Sequence, residues 1–424
     1  MERERRGDRV GTTTAAIETG RPGHLGRNFD FLRLWMGQVA SALGNGISLV
    51  ATPLLVLALT DSPALAGLVA AARTAPYLVL GLPAGALIDR LDRRTILILC
   101  DVARFLAMGS VPIAWVAGTL EPTQLIVVAL VQGVAVTFAN LAQVAALPRL
   151  VRRDQIPSAQ ALNVSSQGVA SLVGPGLGGL VVGFGATLAE GAVIAFGVDS
   201  LTYIVSAAML LSIRKPFQID RTGATVGMGQ QIVEGLRFLW TDRPIRLLAI
   251  VNMIHRFCIG SVVVLAVVVF ARDVLAVGPS VIGLIVGAAG AGGLLGSILA
   301  PVVRRTVSVG WSMVATILLH GVGIALVALS RDVALAMAGM AVVGIAEAMT
   351  SVIQVSYRLA TIPDALQGRV NSVYRMGSFG AMTGGTALAG FLVETQGAGA
   401  ALWMMAAYIL TIGVGVGLSG VRRL

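Results

Sequence analysis

Residues 66–94 read AGLVAAARTAPYLVLGLPAGALIDRLDRR, an apolar run followed at once by a short, highly charged loop. The run has the length of about 20 residues that a helix needs to cross a bilayer. The same layout returns at 282–305, IGLIVGAAGAGGLLGSILAPVVRR, where an offset of 216 aligns six identical residues of the two runs. The segments 154–163 (DQIPSAQALN) and 364–371 (DALQGRVN) form a second matching pair. The sequence therefore predicts a membrane protein built from two homologous halves.

Composition supports the membrane assignment along the whole chain. The 424 residues are 56% hydrophobic and 12% charged, whereas a soluble protein carries roughly 25% charged residues. Alternating barrel strands are absent from the sequence, so the spans are predicted to be helices. Twelve runs qualify: 32–59, 64–88, 95–118, 122–146, 162–187, 191–213, 246–270, 279–303, 309–330, 333–356, 370–394 and 399–420.

The net charge of +10 follows the loops rather than forming a nucleic-acid-binding patch. Alternate loops are rich in arginine: Arg90, Arg93 and Arg94; Arg149, Arg152 and Arg153; 214–246; Arg304 and Arg305; Arg358 and Arg369; Arg422 and Arg423. The intervening loops carry mostly acids: Asp61, Glu121, Glu190, Asp273, Asp332 and Glu394, against Arg272 and Arg331. This positive-inside pattern predicts both termini in the cytosol and contact of the basic loops with anionic lipid.

The predicted organisation has four parts. Residues 1–30 form a charged cytosolic tail without the apolar core of a signal peptide. Residues 31–213 and 246–424 form two pseudo-symmetric six-helix bundles, and 214–245 is a cytosolic linker. Within the linker the spacing of Ile232, Leu236, Leu239 and Trp240 predicts an amphipathic helix, lying on the membrane surface or packed on the bundles.

The loop after the second span carries a recognisable motif. Gly85, Asp89, Arg90, Asp92, Arg93 and Arg94 belong to G-A-L-I-D-R-L-D-R-R. This resembles the cytosolic signature G-x-L-x-D-R-x-G-R-R/K of the major facilitator superfamily, with Asp92 where glycine is usual. The variant is similar to the macrolide-efflux and siderophore-exporter-like branch, the transmembrane secretion effector group. The resemblance implies a conformational latch, in which a carboxylate at the membrane surface pairs with arginines and a helix end.

The fifth span carries a second motif, whose residues are Gly174, Pro175, Gly178 and Gly179. It resembles the antiporter motif G-P-x-x-G-G of drug-exporting members, with Ala170 in place of an upstream glycine. Proline bends a membrane helix, and the glycines allow a close approach of the opposing half. An ordinary kinked helix is the alternative interpretation.

Ionisable groups inside spans are costly and usually functional. The proton-coupling candidates are Glu347, Asp101 and Asp199; Asp101 can also pair with Arg104 at i, i+3 as a structural pair. In the resembled fold spans 1, 4, 7 and 10 line a central cavity, which implies that Arg256 and Glu347 face substrate or protons. The cavity and substrate candidates are Arg256, His255, Asn45, Asn140, Gln143 and Arg73, and Arg375 is a further charge in span 11.

The sequence predicts a secondary transporter rather than an enzyme. Lys215 is the single lysine and lies outside any phosphate-binding loop, and no metal, cofactor or catalytic constellation is indicated. We expect a proton antiporter that exports a small amphipathic molecule, such as a drug, antibiotic or siderophore, by alternating access. An uptake permease and a non-transporting membrane sensor remain alternatives. The expected site of action is the bacterial cytoplasmic membrane, and the family resemblance implies a monomer.

Overall fold

The computed structural model describes residues 25–215, 217 and 228–423, and all regular structure within these ranges is helical. The predicted tail at 1–24 lies outside the described residues. Six helices make up the first half: α1 Phe29–Thr60, α2 Pro63–Arg90, α3 Arg93–Val116, α4 Pro122–Leu150, α5 Ile156–Gly183 and α6 Leu188–Ser212. Polar caps define several of their starts, since Asn28, Ser62 and Thr187 each accept a bond from the first turn that follows.

The linker contributes α7 Met228–Thr241, and the second half that follows it contains more helices than its counterpart. Its helices are α8 Arg243–Arg256, α9 Ser261–Asp273, α10 Pro279–Thr306, α11 Val309–Leu329, α12 Val333–Thr361, α13 Asp364–Gln396 and α14 Ala398–Leu418. The helix predicted within the linker is α7. Its Leu239 is buried against the second half, whereas Leu236 and Trp240 remain exposed. The side chain of Ile232 lies outside the described part.

Ten of the described helices are long and apolar enough to cross a membrane. The two other predicted crossings are α5, whose 28 residues are rich in glycine and serine, and the pair α8 and α9. Both α8 and α9 pack on α13 and α14, so together they follow the path predicted for the seventh span. The structure thus holds the twelve predicted segments.

The seventh segment differs from its prediction as one continuous helix. The chain breaks between Arg256 and Ser261, where Gly260 adopts a φ of +76°, a left-handed conformation that favours glycine. The carbonyl of Phe257 packs directly on Gly385 of α13, where a side chain would collide with it. The break is therefore fixed both by the local backbone and by the neighbouring helix.

The helices form two bundles with matching internal contacts. In the first, α1 packs on α5 and α6, α2 on α4, and α3 on α4 and α6. In the second, α8 and α9 pack on α13 and α14, α10 on α12, and α11 on α12 and α14. The bundles meet through α2 with α13 and through α5 with α10. In the two halves α2 corresponds to α10 and α5 to α13, so the two interfaces are equivalent. This is the pseudo-symmetry that the sequence predicts.

Glycines allow the helices at these two interfaces to approach each other very closely. Gly67 of α2 faces Gly390 of α13, and Gly179 of α5 faces Gly283 of α10. A β-carbon added to Gly179 would lie 2.9 Å from the Gly283 Cα atom, so helix backbones touch there with no side chain between them.

The two ends of the molecule differ in charge and in closure. We call the end that carries Arg93, Arg94, Arg149, Arg304 and Arg305 the basic face, and the end that carries Asp61, Glu190, Asp332 and Glu394 the acidic face. At the acidic face Glu394 of α13 accepts bonds from the Ser62 hydroxyl at 2.5 Å and the Ala64 backbone N–H at 2.8 Å. There Arg272 also pairs with Asp61 at 3.0 Å. Five hydrogen bonds between described residues of opposite bundles lie in the half nearer this face and hold the bundles closed there.

Candidate functional site

A polar network occupies the middle of the first bundle. Asp199 on α6 is fully buried and accepts a hydrogen bond from the Ser48 hydroxyl on α1. Gly44, one turn before Ser48, makes room for this carboxylate, because a β-carbon there would collide with it. The carboxylate thus holds α1 and α6 together.

Arg73 joins this network from α2. Its guanidinium donates to the Asn45 Oδ1 atom at 2.6 Å. The Tyr203 hydroxyl lies 3.3 Å from the same oxygen and 3.5 Å from the Gln132 Oε1 atom on α4. Four helices therefore meet at one set of polar side chains, which includes three of the predicted candidates, Arg73, Asn45 and Asp199.

The predicted pairing of Asp101 with Arg104 needs correction. The two side chains are 5% exposed each, but no ion pair within 4 Å joins them among the described residues. Asp101 interacts with the Ser206 hydroxyl of α6, and Arg104 only attracts it through space. The guanidinium of Arg104 lies 5.3 Å from the centre of the Tyr203 ring. Both side chains therefore contact residues of α6, Ser206 for Asp101 and the Tyr203 ring for Arg104, rather than each other.

A small cavity of about 70 Å³ adjoins the network on the side of the acidic face. Its walls are mostly apolar, and the polar side chains in the lining are those of Ser48, Thr52, Arg73, Gln132 and Asp199. Val264 and Leu265 of α9 reach into its lining from the other bundle. The buried acid therefore lies at the wall of a space that both bundles enclose.

The second bundle carries an ion pair that the sequence did not predict as a pair. Arg256, at the end of α8, lies 2.7 Å from Glu347 of α12, with side-chain exposures of 26% and 34%. The second carboxylate oxygen of Glu347 is buried without a hydrogen-bond partner among the described residues. Both groups lie near the middle of the membrane path and are nevertheless partly accessible.

Two histidines lie close to this ion pair. His255 and His320 are buried, and their rings meet edge to face with centroids 5.1 Å apart. None of their four ring nitrogens has a hydrogen-bond partner among the described residues. Sequence analysis selected His255 but missed His320; its position inside the apolar α11 was the available signal.

Arginines and aromatic rings extend the site towards the basic face. The Arg358 guanidinium lies 3.9 Å from the centre of the Tyr374 ring, and the Tyr374 hydroxyl is 2.7 Å from the Gln354 Oε1 atom. Arg375 lies 5.2 Å from the Tyr77 ring centre. Sequence analysis placed Arg358 in a basic loop, but it lies inside α12 and is only 9% exposed.

The predicted latch loop works partly as a helix cap. Asp92 is the N-cap of α3 and accepts bonds from the Thr95 N–H at 3.0 Å and hydroxyl at 2.7 Å. Burial acts to raise the pKa of Asp92, but these hydrogen bonds outweigh it, and the pKa lies below its ordinary value. Arg93 donates to the carbonyls of Ala145 and Phe217.

The remaining latch residues are distributed differently. Arg94 donates to the Leu210 and Leu211 carbonyls, so it ties α3 to the end of α6. Gly85 has open space around it. The side chains of Asp89 and Arg90 lie outside the described part, and their predicted latch role stays a prediction.

The glycines of the second motif serve two interfaces. Gly174 and Gly178 face Gly46 and Ile47 of α1, within the same bundle. Only Gly179 contacts the opposing bundle, through Gly283. Pro175 is buried inside α5, and its carbonyl oxygen also faces Gly283.

Two predicted cavity residues stand apart from the network. Asn140 and Gln143 are half-buried on α4, nearer the basic face than Gln132. Neither side chain makes a hydrogen bond to another described residue. Their role as substrate ligands stays a prediction.

Ten helices long and apolar enough to cross a membrane, together with α5 and the α8–α9 pair, form two related bundles with charged groups at the centre, which is the arrangement of a transporter of the major facilitator fold. Solved structures share the fold: the nucleoside transporter NupG has a TM-score of 0.73 at 13% identity, covering 92% of this chain and 98% of that chain. A bacterial homologue of the iron transporter ferroportin in an inward-facing state has a TM-score of 0.70 at 16% identity, covering 92% and 98%. Residues 27–422 match the transmembrane secretion effector family, and the chain belongs to it.

The chain is also similar in sequence to efflux proteins. The multidrug efflux pump Tap of Mycolicibacterium fortuitum is 30% identical over 393 residues, covering 90% of this chain and 94% of that protein. Macrolide efflux protein A of Streptococcus pyogenes is 25% identical over 230 residues, covering 54% and 55%. The predicted fold, the family resemblance and the prediction of a multi-pass transporter rather than an enzyme are confirmed.

Proposed function

We propose that this protein exports a small amphipathic molecule from the bacterial cytoplasm by proton antiport and alternating access. The observation that carries the proposal is the 30% identity to a multidrug efflux pump over nearly the full length of both chains. The name of that relative describes it as an efflux pump for several drugs. We therefore propose a drug or a comparable metabolite as the cargo of this protein.

The charge asymmetry supports an orientation. Arginines concentrated at the basic face favour the cytosol for that face and for both termini, by the positive-inside rule. The closed acidic face then faces outward, and we propose that cargo enters from the cytosol at the basic face. We propose that bundles 31–213 and 246–424 move as units about the α2–α13 and α5–α10 contacts, in a monomer whose basic face contacts anionic lipid.

The proton-coupling residue we favour is Glu347. A carrier must exchange protons with water in at least one conformation, and Glu347 is 34% exposed. Asp199 and Asp101 are 0% and 5% exposed and interact with serines of neighbouring helices, so they would have to leave these partners first. Protonation of Glu347 would neutralise it and free Arg256, which changes the charge of the central site by one unit.

The test uses inverted membrane vesicles that contain the protein, a respiration-driven proton gradient and a pH-sensitive dye. Addition of macrolides, cationic dyes or siderophores one at a time should dissipate the gradient for at least one compound. Glu347→Gln should abolish this response while leaving gradient-independent exchange of the compound intact, since binding survives without the titrating group. Asp101→Asn and Asp199→Asn are the matched controls.

The outcomes separate the alternatives. Loss of coupling in Asp199→Asn but not in Glu347→Gln would transfer the carrier role to Asp199. Accumulation of cargo in right-side-out rather than inverted vesicles would identify an uptake permease. A folded protein that moves none of the compounds in either direction would contradict the export proposal.

A further inference from the structure

The charged groups of the two bundles are balanced differently. In the first bundle the buried acids Asp101 and Asp199 are matched by Arg73 and Arg104. In the second bundle the central region holds the arginines 256, 358 and 375, and among the described carboxylates only Glu347 lies within ion-pair distance of one of them. The second bundle therefore has a surplus of two positive charges in a region where uncompensated charge is costly.

The three arginines act on one another. Arg375 and Arg256 are the cations whose charges reach Arg358, and Tyr374 lies within the field of Arg358 and Arg256. Arg375 and Arg256 both repel Arg358, which favours any anion that can lie among the three. Stacking on Tyr374 satisfies one face of Arg358 but supplies no hydrogen-bond acceptor.

Arg358 gives a second, independent indication of a ligand. It is only 9% exposed, yet its Nε and Nη1 atoms have no hydrogen-bond partner among the described residues. Buried guanidinium donors without an acceptor are unusual and costly. A carboxylate, sulfonate or phosphate group provides the matching pair of oxygens.

Aromatic surface lies beside this charge. Tyr77 and Phe379 stack with ring centroids 4.1 Å apart across the interface of the two bundles, and Arg375 lies over the Tyr77 ring. Tyr77 is buried and Phe379 half-buried, so a molecule with its acidic group at the arginines can place an apolar body against Phe379, at the interface of the bundles.

We propose that Arg256, Arg358 and Arg375 form an anion subsite, and that the cargo is an amphipathic anion with an aromatic or apolar body. The inference rests on the proposed export function, because it names the cargo of that same central site. The anion and the Glu347 carboxylate share Arg256, so the subsite lies beside the proposed proton-coupling residue.

The experiment compares two dyes with the same ring system. Dansyl acid carries a sulfonate and dansylamide is neutral. Equilibrium dialysis measures the binding of each to the protein in lipid nanodiscs, with protein-free nanodiscs as blanks. Dansyl acid should bind the native protein at least about tenfold more tightly than dansylamide, the size expected for a charge-assisted hydrogen bond.

Variants test the assignment of residues. Arg375→Gln should remove most of this preference, and Arg375→Lys should restore part of it, because Arg375 is half-buried and its replacement leaves the fold intact. Arg305→Gln, an exposed arginine of the basic face, changes the net charge equally and should leave the preference unchanged. Glu347→Gln should tighten the binding of dansyl acid several-fold without affecting dansylamide, an effect that a merely structural role of the cluster would not produce.

Equal or undetectable binding of dansyl acid, or a preference that survives Arg375→Gln, would overturn the subsite. The assay needs no proton gradient, so its result is independent of the export test. Anion-selective binding in a protein that fails every flux assay would retain the subsite and remove the export proposal. Proton-coupled flux with no anion preference would do the reverse.

Discussion

Replacing Gly179 with alanine should force the two bundles apart at the acidic face. The new β-carbon would lie 2.9 Å from the Gly283 Cα atom and closer still to the Pro279 carbonyl oxygen. Carbon atoms in ordinary contact are about 3.5 Å apart, so α5 and α10 must separate by about 0.5 Å or more. Overpacking of this kind costs about 1–3 kcal/mol. Because the strain exists only while the acidic face is closed, the equilibrium should shift about 5- to 150-fold towards its open form.

Pulsed electron resonance between two spin labels measures this shift. Thr119 and Arg331 are exposed in acidic-face loops of opposite bundles, and cysteines at these positions can carry the labels. The native Cys100 and Cys258 are both buried and can be replaced beforehand. The native protein should show mainly the short distance of the sealed acidic face, and Gly179→Ala should show a larger population at longer distance.

Gly176→Ala is the matched control on the same helix. A β-carbon at Gly176 would meet only the Leu284 side chain, at 4.0 Å, so the distance distribution should not change. If the folded Gly179→Ala protein also keeps the native distribution, backbone contact at this glycine does not hold the acidic face closed.

Three further substitutions test other contacts of the fold. Gly44→Ala should lower the free energy of unfolding by about 1–3 kcal/mol, because its β-carbon collides with the Asp199 carboxylate; Gly415→Ala, with open space around it, should not lower the melting temperature. Asp92→Ala should cost about 1 kcal/mol at neutral pH and Asp92→Asn much less, since asparagine caps equally well; equal melting temperatures would contradict the cap. The contribution of Asp92 should fade only as pH falls through its lowered pKa. Glu394→Ala should open the acidic face in the spin-label assay, but less than Gly179→Ala, because its bonds are exposed to solvent.

The apolar runs were enough to predict the number and order of the membrane segments, because the bilayer leaves the backbone few alternatives. The break in the seventh segment was not predictable in the same way. Gly260 is one of 52 glycines in the sequence, and its special conformation depends on how the carbonyl of Phe257 packs on Gly385 of another helix. Hydropathy carries no information about such contacts.

The charged site was predictable as a set of residues but not as a set of pairs. Ionisable groups are costly inside a membrane, and for this reason Glu347, Arg256 and Asp199 could be identified as candidates in the sequence. Partners came from other helices, as the ion pair of Arg256 with Glu347 shows. The i, i+3 spacing on one helix suggested an ion pair between Asp101 and Arg104. In the structure both side chains contact α6 instead. Arg358 was missed because a basic residue near the end of a span resembles a loop residue.

The interruption of the seventh segment separates two roles along a single stretch of chain. On one side of it α8 ends in His255 and Arg256; on the other, α9 is almost entirely apolar and contributes Val264 and Leu265 to the lining of the cavity. Side-chain changes in α9 can therefore reshape the cavity lining while the charged residues at the end of α8 keep their positions. The shape of the cavity and the charges of the central site are thus open to change in separate mutational steps.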